Sequence, residues 1–188
     1  MTEERKSSTM FSQAAVVGML SILLLQGFHT LEHTVQVFQR FVFFQPRGAG
    51  VLGTWVDVEP VHLGYNVAFM WLFAITYWEA RIWQRRKSHP AAFYLLTFSV
   101  LFQCWHNIEH IFKMEQFITS GNNGTPGILG DTFNLVWLHF TYNMVVFVPF
   151  VAAFFIESYH REVMKLAPFK NIGSWMRRES REAVRKSG

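Results

Sequence analysis

A stretch of this chain occurs twice, with the two copies separated by 77 residues and aligned without a gap. Between Gln26 and Asn66, eleven of 41 positions are identical to the residue 77 positions later, and six of the eight histidines are among them. Repetition at a fixed offset indicates two equivalent structural units, so any fold must accommodate the two in the same way. The identical pairs are Gln26 and Gln103, His29 and His106, Glu32 and Glu109, His33 and His110, Gln39 and Gln116, Gly50 and Gly127, Leu52 and Leu129, Gly53 and Gly130, His62 and His139, Tyr65 and Tyr142, and Asn66 and Asn143.

Four long apolar segments contain or flank these copies, and each reaches the ~20 residues that a helix needs to cross a bilayer. They are Phe11 to Phe44, Pro60 to Trp83, Pro90 to Ile118 and Thr132 to Glu157. The chain is 51% hydrophobic and only 16% charged, which is more apolar surface than a soluble core of 188 residues requires. The sequence therefore predicts an all-α integral membrane protein.

The basic residues of the loops predict the orientation. Four lie between Arg81 and His89 and eight follow His160, so the positive-inside rule places this turn and both termini in the cytoplasm of a cell-membrane protein. Each copy then has two crossings. The predicted fold is a four-helix bundle of two tandem two-helix repeats, related by a pseudo-two-fold axis along the membrane normal.

The same reasoning divides the chain into five regions. The basic tail is predicted either to lie as an amphipathic helix on anionic lipid headgroups or to remain solvated and only fix the topology. Because basic residues concentrate at the ends and in one turn, nucleic acid is not an expected partner. The regions are a cytoplasmic N-terminus (1–10), the first repeat (11–83), a cytoplasmic turn (84–89), the second repeat (90–160) and the tail (161–188).

Each copy supplies the motif Q-x-x-H-x-x-E-H on its first helix and H-x-x-Y-N near the start of its second. Residues three and four apart share a helix face, so the polar side chains of each motif should point the same way. At a rise of about 1.5 Å per residue, both motifs come out at the same depth, toward the outer leaflet. We therefore expect the six repeated histidines to form one layer at the non-cytoplasmic end.

Six imidazoles and two carboxylates in a low-dielectric setting are costly to bury unless they serve a site. Neutral imidazole and carboxylate suit Fe, Cu or Zn, whereas the single Cys104 argues against thiolate sites. Haem is disfavoured, because one porphyrin uses two axial ligands at most. A metal-free polar core, a proton relay and a peptidase of the H-x-x-E-H type remain as alternatives. The predicted metal ligands are His29, His33, His62, His106, His110, His139, Glu32 and Glu109.

The remaining repeated residues receive supporting roles. Glu32 and Glu109 could bridge two ions or act as bases, and Tyr65 and Tyr142 could donate hydrogen or relay a radical. Lys113 is expected to reach the headgroups rather than the site. The residues predicted to orient the imidazoles around the cofactor are Gln26, Gln103, Asn66 and Asn143.

Two functions from different classes follow. The favoured one is a metal-dependent membrane oxidoreductase that acts on a lipid-soluble substrate or a small oxidant, with a membrane redox partner or a larger complex. The alternatives are a non-catalytic protein that captures or transfers metal, a haem-b membrane protein, and an accessory subunit of a larger membrane enzyme. A tightly held metal with a visible spectrum would favour the first, and an exchangeable ion with a wet path would favour metal transfer.

Overall fold

The computed structural model describes residues 11–45, 48–53, 57–122 and 124–166, and within these ranges every regular element is helical. The predicted all-α class is therefore confirmed. A 3₁₀ turn at Ile82–Arg85 separates the second and third long helices. The α-helices are α1 (Gln13–Phe41), α2 (Glu59–Glu79), α3 (Pro90–Ser120), α4 (Leu135–Ile156) and the short α5 (Tyr159–Val163).

Local sequence signals determine where these helices begin and end. Ser12 caps α1, since its hydroxyl accepts a hydrogen bond from the Ala15 N–H at 3.1 Å. Pro60 and Pro90 lie in the first turns of α2 and α3, where a missing N–H costs nothing. Gly121 ends α3 in the left-handed conformation, with φ of 67°.

The four long helices form a closed ring. Each packs against the helix before and after it in the chain, and α4 completes the ring by packing against α1. As a result α1 and α3, which carry the longer motif of each copy, stand diagonally across the bundle. We call the end that bears residues 42–45, 48–53, 121–122 and 124–134 the loop end, and the end that bears residues 80–89 the turn end.

The interior of the bundle changes character along its length. Toward the turn end it is apolar, with Met19, Ile22, Phe73, Leu96 and Phe150 almost completely buried. Toward the loop end the buried side chains are polar and include the repeated glutamines, asparagines, glutamates and histidines. Burial of a polar layer requires that its groups be hydrogen-bonded or bound to a ligand, so this half of the interior is where a site is expected.

The exterior is apolar on all four long helices. Leu24 of α1 is 62% exposed, Trp71 of α2 61%, Leu101 of α3 64% and Val148 of α4 53%. Among the helices of the described ranges, α1 and α4 are long and apolar enough to cross a membrane. Helices α2 and α3 are long enough but do not meet the same standard of composition.

At the turn end, a cluster of polar side chains links residues that are distant in the sequence. Arg85 donates to the Glu157 carboxylate at 2.6 Å, and its guanidinium lies 4.1 Å from the centre of the Phe11 ring. His89 Nδ1 is 3.5 Å from the same carboxylate. Burial raises the pKa of the neighbouring Tyr159 hydroxyl above its usual range.

The predictions for residues 1–10 and for most of the 161–188 tail lie outside the described residues.

Candidate metal centre

The six repeated histidines, predicted to share one layer, lie together at the loop end. Within each half the three rings have nearly the same spacing. His29 and His33 are 4.6 Å apart between ring centres, and their counterparts His106 and His110 are 4.8 Å apart. The other two distances are 5.9 and 6.0 Å in the first half and 5.3 and 6.3 Å in the second. We call these sets the first triad (His29, His33, His62) and the second triad (His106, His110, His139).

The two triads meet across the bundle and form one cluster. The centres of the His33 and His139 rings are 5.6 Å apart, and the equivalent pair, His110 and His62, is 5.8 Å apart. These two contacts join residues that are related by the 77-residue offset, so they are equivalent pairs in the two copies. Five of the six rings are buried, and His62 is partly buried next to the loops.

In three of the rings, Nδ1 faces an oxygen that can only accept a hydrogen bond, so the proton of the neutral ring lies on Nδ1. His33 Nδ1–H donates to Gln36 Oε1 at 2.7 Å, and His110 Nδ1–H donates to Glu59 Oε1 at 2.6 Å. His139 Nδ1–H donates to the Leu135 carbonyl at 2.8 Å. A neutral imidazole that carries its proton on Nδ1 presents a lone pair at Nε2, the form that binds metals.

The Nε2 atoms of the two triads have different surroundings. In the first triad, the buried Nε2 atoms of His29 and His33 have no hydrogen-bond partner among the described residues. In the second triad, His106 and His110 bring their Nε2 atoms within 3.1 Å of each other, and His139 Nε2 is 3.4 Å from Lys113 Nζ. Two Nε2 atoms of the first triad therefore lack a hydrogen-bond partner among the described residues, whereas the Nε2 atoms of the second triad each have one.

Lys113 and Glu59 are site residues that the sequence interpretation missed. Lys113 was expected to reach the headgroups, but its side chain is buried and its ammonium lies 2.9 Å from Glu59 Oε2. That expectation is wrong because Lys113 lies three residues after His110, on the same helix face, and turns inward to a buried carboxylate. A buried charge needs a partner, and Glu59 at the start of α2 provides it.

Glu32 and Glu109, predicted as metal ligands or bridges, each accept hydrogen bonds from the backbone of a loop. The Glu32 carboxylate accepts from the N–H of Val51 at 2.7 Å and of Leu52 at 3.2 Å. Glu109 accepts from the equivalent N–H groups of Ile128 and Leu129, at 2.9 and 3.2 Å. Both carboxylates are buried, so their structural role is to hold each loop against the bundle.

Two further repeated residues complete each of these loop anchors. Gln39 accepts from the Gly50 N–H at 2.8 Å and donates to the Gly50 carbonyl at 3.1 Å. Gln116 makes the same two bonds with Gly127, at 2.8 and 3.0 Å. Both glycines have positive φ, 70° and 72°, and a Cβ at either position would overlap the carboxylate of its glutamate. The repeated glycines are therefore required by the close approach of the loop to the carboxylate.

The amide residues predicted to orient the imidazoles cross-link the two copies. Gln26 of α1 donates to Asn143 of α4 at 2.8 Å, and Gln103 of α3 donates to Asn66 of α2 at 3.0 Å. Each asparagine also donates to the backbone carbonyl of the histidine four residues before it, His62 or His139, at 2.9 Å. The four amides thus form a buried layer beneath the histidines. Each of the two glutamine–asparagine bonds joins one copy to the other.

The two repeated tyrosines lie against the histidines. The Tyr65 ring is 4.5 Å from that of His29, and the Tyr142 ring is 5.1 Å from that of His106. Their hydroxyls bond differently: Tyr65 donates to the Leu25 carbonyl at 2.9 Å, whereas Tyr142 accepts from the Trp105 indole N–H at 3.3 Å.

A cavity of about 170 Å³ opens between the histidines and the loops. His33, His62 and His139 line it together with Asp57, Glu59 and Lys113. This wall includes imidazole, carboxylate and ammonium groups beside apolar surface, and the cavity is large enough for several waters or a hydrated ion.

No three His, Cys, Asp or Glu side chains in the described ranges stand in the arrangement of a complete metal site. What the described residues provide is a compact set of imidazoles, several with the metal-binding protonation form. Comparisons with protein-family models, with curated proteins and with solved structures found no match, so the site must be interpreted from its own chemistry.

Proposed function

We propose that this chain is a multi-pass cell-membrane protein that holds a transition-metal ion on the imidazoles at the loop end of a four-helix bundle. The proposed placement has all four long helices in the bilayer, with both termini and the basic turn in the cytoplasm. Exposed apolar side chains on every long helix, combined with polar side chains inside, support it. A water-soluble protein rarely exposes apolar surface on so many faces.

The paired hydrogen bonds support two repeats related by a pseudo-two-fold axis. Loop anchors, amide cross-links and ring spacings all recur at the 77-residue offset with distances that differ by a few tenths of an ångström. A bundle with two parallel repeats places this axis along the membrane normal.

The observation that carries the metal proposal is the protonation of the rings. His33, His110 and His139 each donate from Nδ1 to an oxygen. This leaves an Nε2 lone pair on each ring, which has no partner among the described residues at His33 and is engaged by His106 at His110 and by Lys113 at His139. Metal-bound histidines usually donate their other ring N–H to a carbonyl or carboxylate in this way.

The ring spacings are close to those of a shared ion. With metal–nitrogen bonds of about 2.0–2.1 Å, two imidazoles on one ion have nitrogen atoms about 3 Å apart and ring centres about 4.5–5.2 Å apart. The ring centres of His29 and His33 are 4.6 Å apart, and those of His106 and His110 are 4.8 Å apart. The wider pairs would close in through rotation about χ2, which is a soft torsion for histidine.

Imidazole ligands without thiolate favour Fe, Cu or Zn. We propose an oxidoreductase centre of Fe or Cu that acts on a lipid-soluble substrate or a small oxidant, because a tyrosine ring lies against a histidine in each half. Such a tyrosine can exchange an electron and a proton with a nearby ion. Glu32 and Glu109 are best interpreted as positioning residues that fix the loops, and their predicted role as ligands or bases stays a prediction.

Elemental analysis of protein purified in mild detergent tests the metal proposal directly. We expect at least one Fe, Cu or Zn ion per chain, and replacement of His33 or His110 by Ala should lower the metal content to half or less in at least one variant. His89→Ala is the matched control, because His89 lies outside the repeat at the turn end. Unchanged metal content in both variants would remove the ligand assignment.

Metal capture or transfer without catalysis is the second candidate, and the polar cavity favours it. An ion could reach His33 and His62 from the loop end past the carboxylates of Asp57 and Glu59. An optical and EPR spectrum, taken before and after dithionite and before and after EDTA, separates the two functions. A redox-responsive spectrum that survives EDTA supports the oxidoreductase, a silent ion lost to EDTA supports transfer, and a Soret band would indicate the haem alternative.

A further inference from the structure

The two triads differ in one charged pair that the duplication does not share. Lys113 corresponds to Gln36 in the first copy, and Glu59 corresponds to Val136 in the second. Lys113 and Glu59 therefore form a buried ion pair beside the second triad. Beside the first triad, Gln36 makes a neutral hydrogen bond to His33.

The ammonium of Lys113 occupies a ligand position of the second triad. The Leu135 carbonyl fixes the His139 proton on Nδ1, so the lone pair at Nε2 accepts from Lys113 Nζ at 3.4 Å. His110 is engaged on both nitrogens, by Glu59 at Nδ1 and by His106 at Nε2. An ion bound by the Nε2 atoms of this triad would have to displace the His106–His110 contact and the Lys113 ammonium from His139, and only His106 Nδ1 is buried without a partner among the described residues.

The lysine is held in this position by the second loop. The Thr125 hydroxyl donates to the Lys113 carbonyl at 3.1 Å, and a Cβ on Gly127 would lie only 2.7 Å from Lys113 Cγ. The side chain thus passes beneath a glycine that the loop anchor already requires. The ammonium itself is held by the Glu59 carboxylate at 2.9 Å.

The first triad has the opposite properties. The Nε2 atoms of His29 and His33 are buried without a hydrogen-bond partner in the described part of the chain, and the neutral Gln36 fixes the His33 proton on Nδ1. The cavity reaches His33 and His62 from the loop side, next to Asp57. Open lone pairs and a neutral supporting residue therefore coincide in this half, and the cavity reaches it, although Lys113 and His139 of the other half line the same cavity.

Resting on the proposed function, we infer that the chain binds one metal ion, on His29, His33 and His62, and that the Lys113 ammonium replaces a second ion at His106, His110 and His139. The duplication would originally have provided two equivalent triads, of which one now carries a built-in cation. Glu59 neutralises that cation and fixes the His110 proton.

The experiment counts ions in variants that exchange the two supporting residues. Purified protein in detergent is stripped with EDTA, loaded with Co²⁺ and desalted, and cobalt per chain is measured by elemental analysis. We expect one Co²⁺ in the wild type, two in Lys113→Gln, and less than a tenth of an ion in Gln36→Lys. Lys165→Gln is the matched control, since Lys165 is an exposed lysine that pairs with Glu162, and it should bind one ion.

The outcomes separate this inference from the function on which it rests. A wild type that binds no Co²⁺ contradicts the metal proposal itself. A wild type that binds two ions, or a Lys113→Gln variant that still binds one, overturns the inference and leaves the metal proposal standing. Single replacements give a second measure: His33→Ala should lose the ion and His110→Ala should keep it, whereas equal losses would overturn the assignment to the first triad.

Lys113→Gln leaves Glu59 buried without its ammonium, so the variant could fail to fold. The double variant Lys113→Gln with Glu59→Gln keeps the buried pair neutral and makes both halves uncharged at these positions. It is expected to bind two Co²⁺ ions. One ion in this folded double variant would equally overturn the inference.

Discussion

The first and second halves of this bundle share a scaffold but not a charge. Both use a glutamate and a glutamine to hold a loop, an amide pair to join the other half, and three histidines with nearly equal spacing. Only the second half adds Lys113, paired with Glu59 of α2. Residues that hold the backbone in position are thus identical in the two copies, whereas residues that set the charge beside the imidazoles differ.

This difference explains why repetition alone does not identify ligands. Most of the repeated polar residues make hydrogen bonds that fix loops or join helices, and they would be retained in a protein without a cofactor. Among the histidines, Nε2 of His29 and of His33 and Nδ1 of His106 have no hydrogen-bond partner among the described residues, and the same holds for Glu109 Oε2 and for Oε1 of Gln26 and Gln103. Comparison of the halves therefore separates scaffold residues from residues that are available for chemistry.

The ion pair at the second triad gives the largest expected effect on stability. Glu59→Ala removes the carboxylate that contacts both Lys113 and His110, and leaves the ammonium buried without that partner. We expect the free energy of unfolding to fall by about 3–5 kcal/mol, as for other broken buried pairs. Unfolding in detergent, followed by circular dichroism against denaturant, measures the change.

The control for this prediction is the position in the second copy that corresponds to Glu59. Val136→Ala changes the residue that corresponds to Glu59 in the second copy and should cost about 1 kcal/mol, because only partly buried apolar contact is lost. Similar losses in the two variants would show that the halves do not differ in the way the ion pair implies.

The loop anchors should respond equally in both halves, with an intermediate effect. Gly50→Ala and Gly127→Ala each place a Cβ against a buried carboxylate at a positive φ. We expect a loss of about 2–3 kcal/mol in each variant, from backbone strain and from the weakened hydrogen bonds to the glutamate. Thermal unfolding of the two variants under the same conditions provides the comparison.

Gly53→Ala isolates the contribution of the backbone conformation. Gly53 also has a positive φ, 76°, but the space around its Cβ position is open, so only the strain of about 1 kcal/mol remains. If Gly53→Ala cost as much as Gly50→Ala, the carboxylate contact would contribute nothing. If Gly50→Ala and Gly127→Ala differed widely, the two loops would not be equivalent.

The sequence was sufficient to predict the helices and the assembly of the histidines. Apolar length and periodicity indicate α1 to α4, and identity at a fixed offset places His29 and His106 in matching positions. The apolar pattern is local and the identities recur at one offset, so both can be recognised in a single sequence. The four-span prediction is confirmed only as far as the all-helical class and the two helices, α1 and α4, whose composition suits a membrane.

The roles of the charged residues could not be predicted in the same way. A glutamate between two histidines has the pattern of a ligand, and only the fold shows that Glu32 and Glu109 accept from loop N–H groups nineteen and twenty residues later. Lys113 and Glu59 have no identical counterpart in the other copy, so the repeat gave no reason to pair them. The repeated glycines Gly50 and Gly127 were a signal for a close loop contact that could have been used.

The amide cross-links give the smallest effect and test whether the halves depend on each other. Gln26→Leu and Gln103→Leu each remove a buried amide and leave an asparagine oxygen unsatisfied, so each should lower the free energy of unfolding by about 1–2 kcal/mol. Combination with Asn143→Leu completes a double-mutant cycle for the first pair. We expect Gln26 and Asn143 to couple by about 1 kcal/mol, whereas Gln103 and Asn143, which belong to different pairs, should be nearly additive. If Gln103 and Asn143 coupled as strongly as Gln26 and Asn143, the four amides would act as one network. The two copies could then not be treated as separate units joined by two bonds.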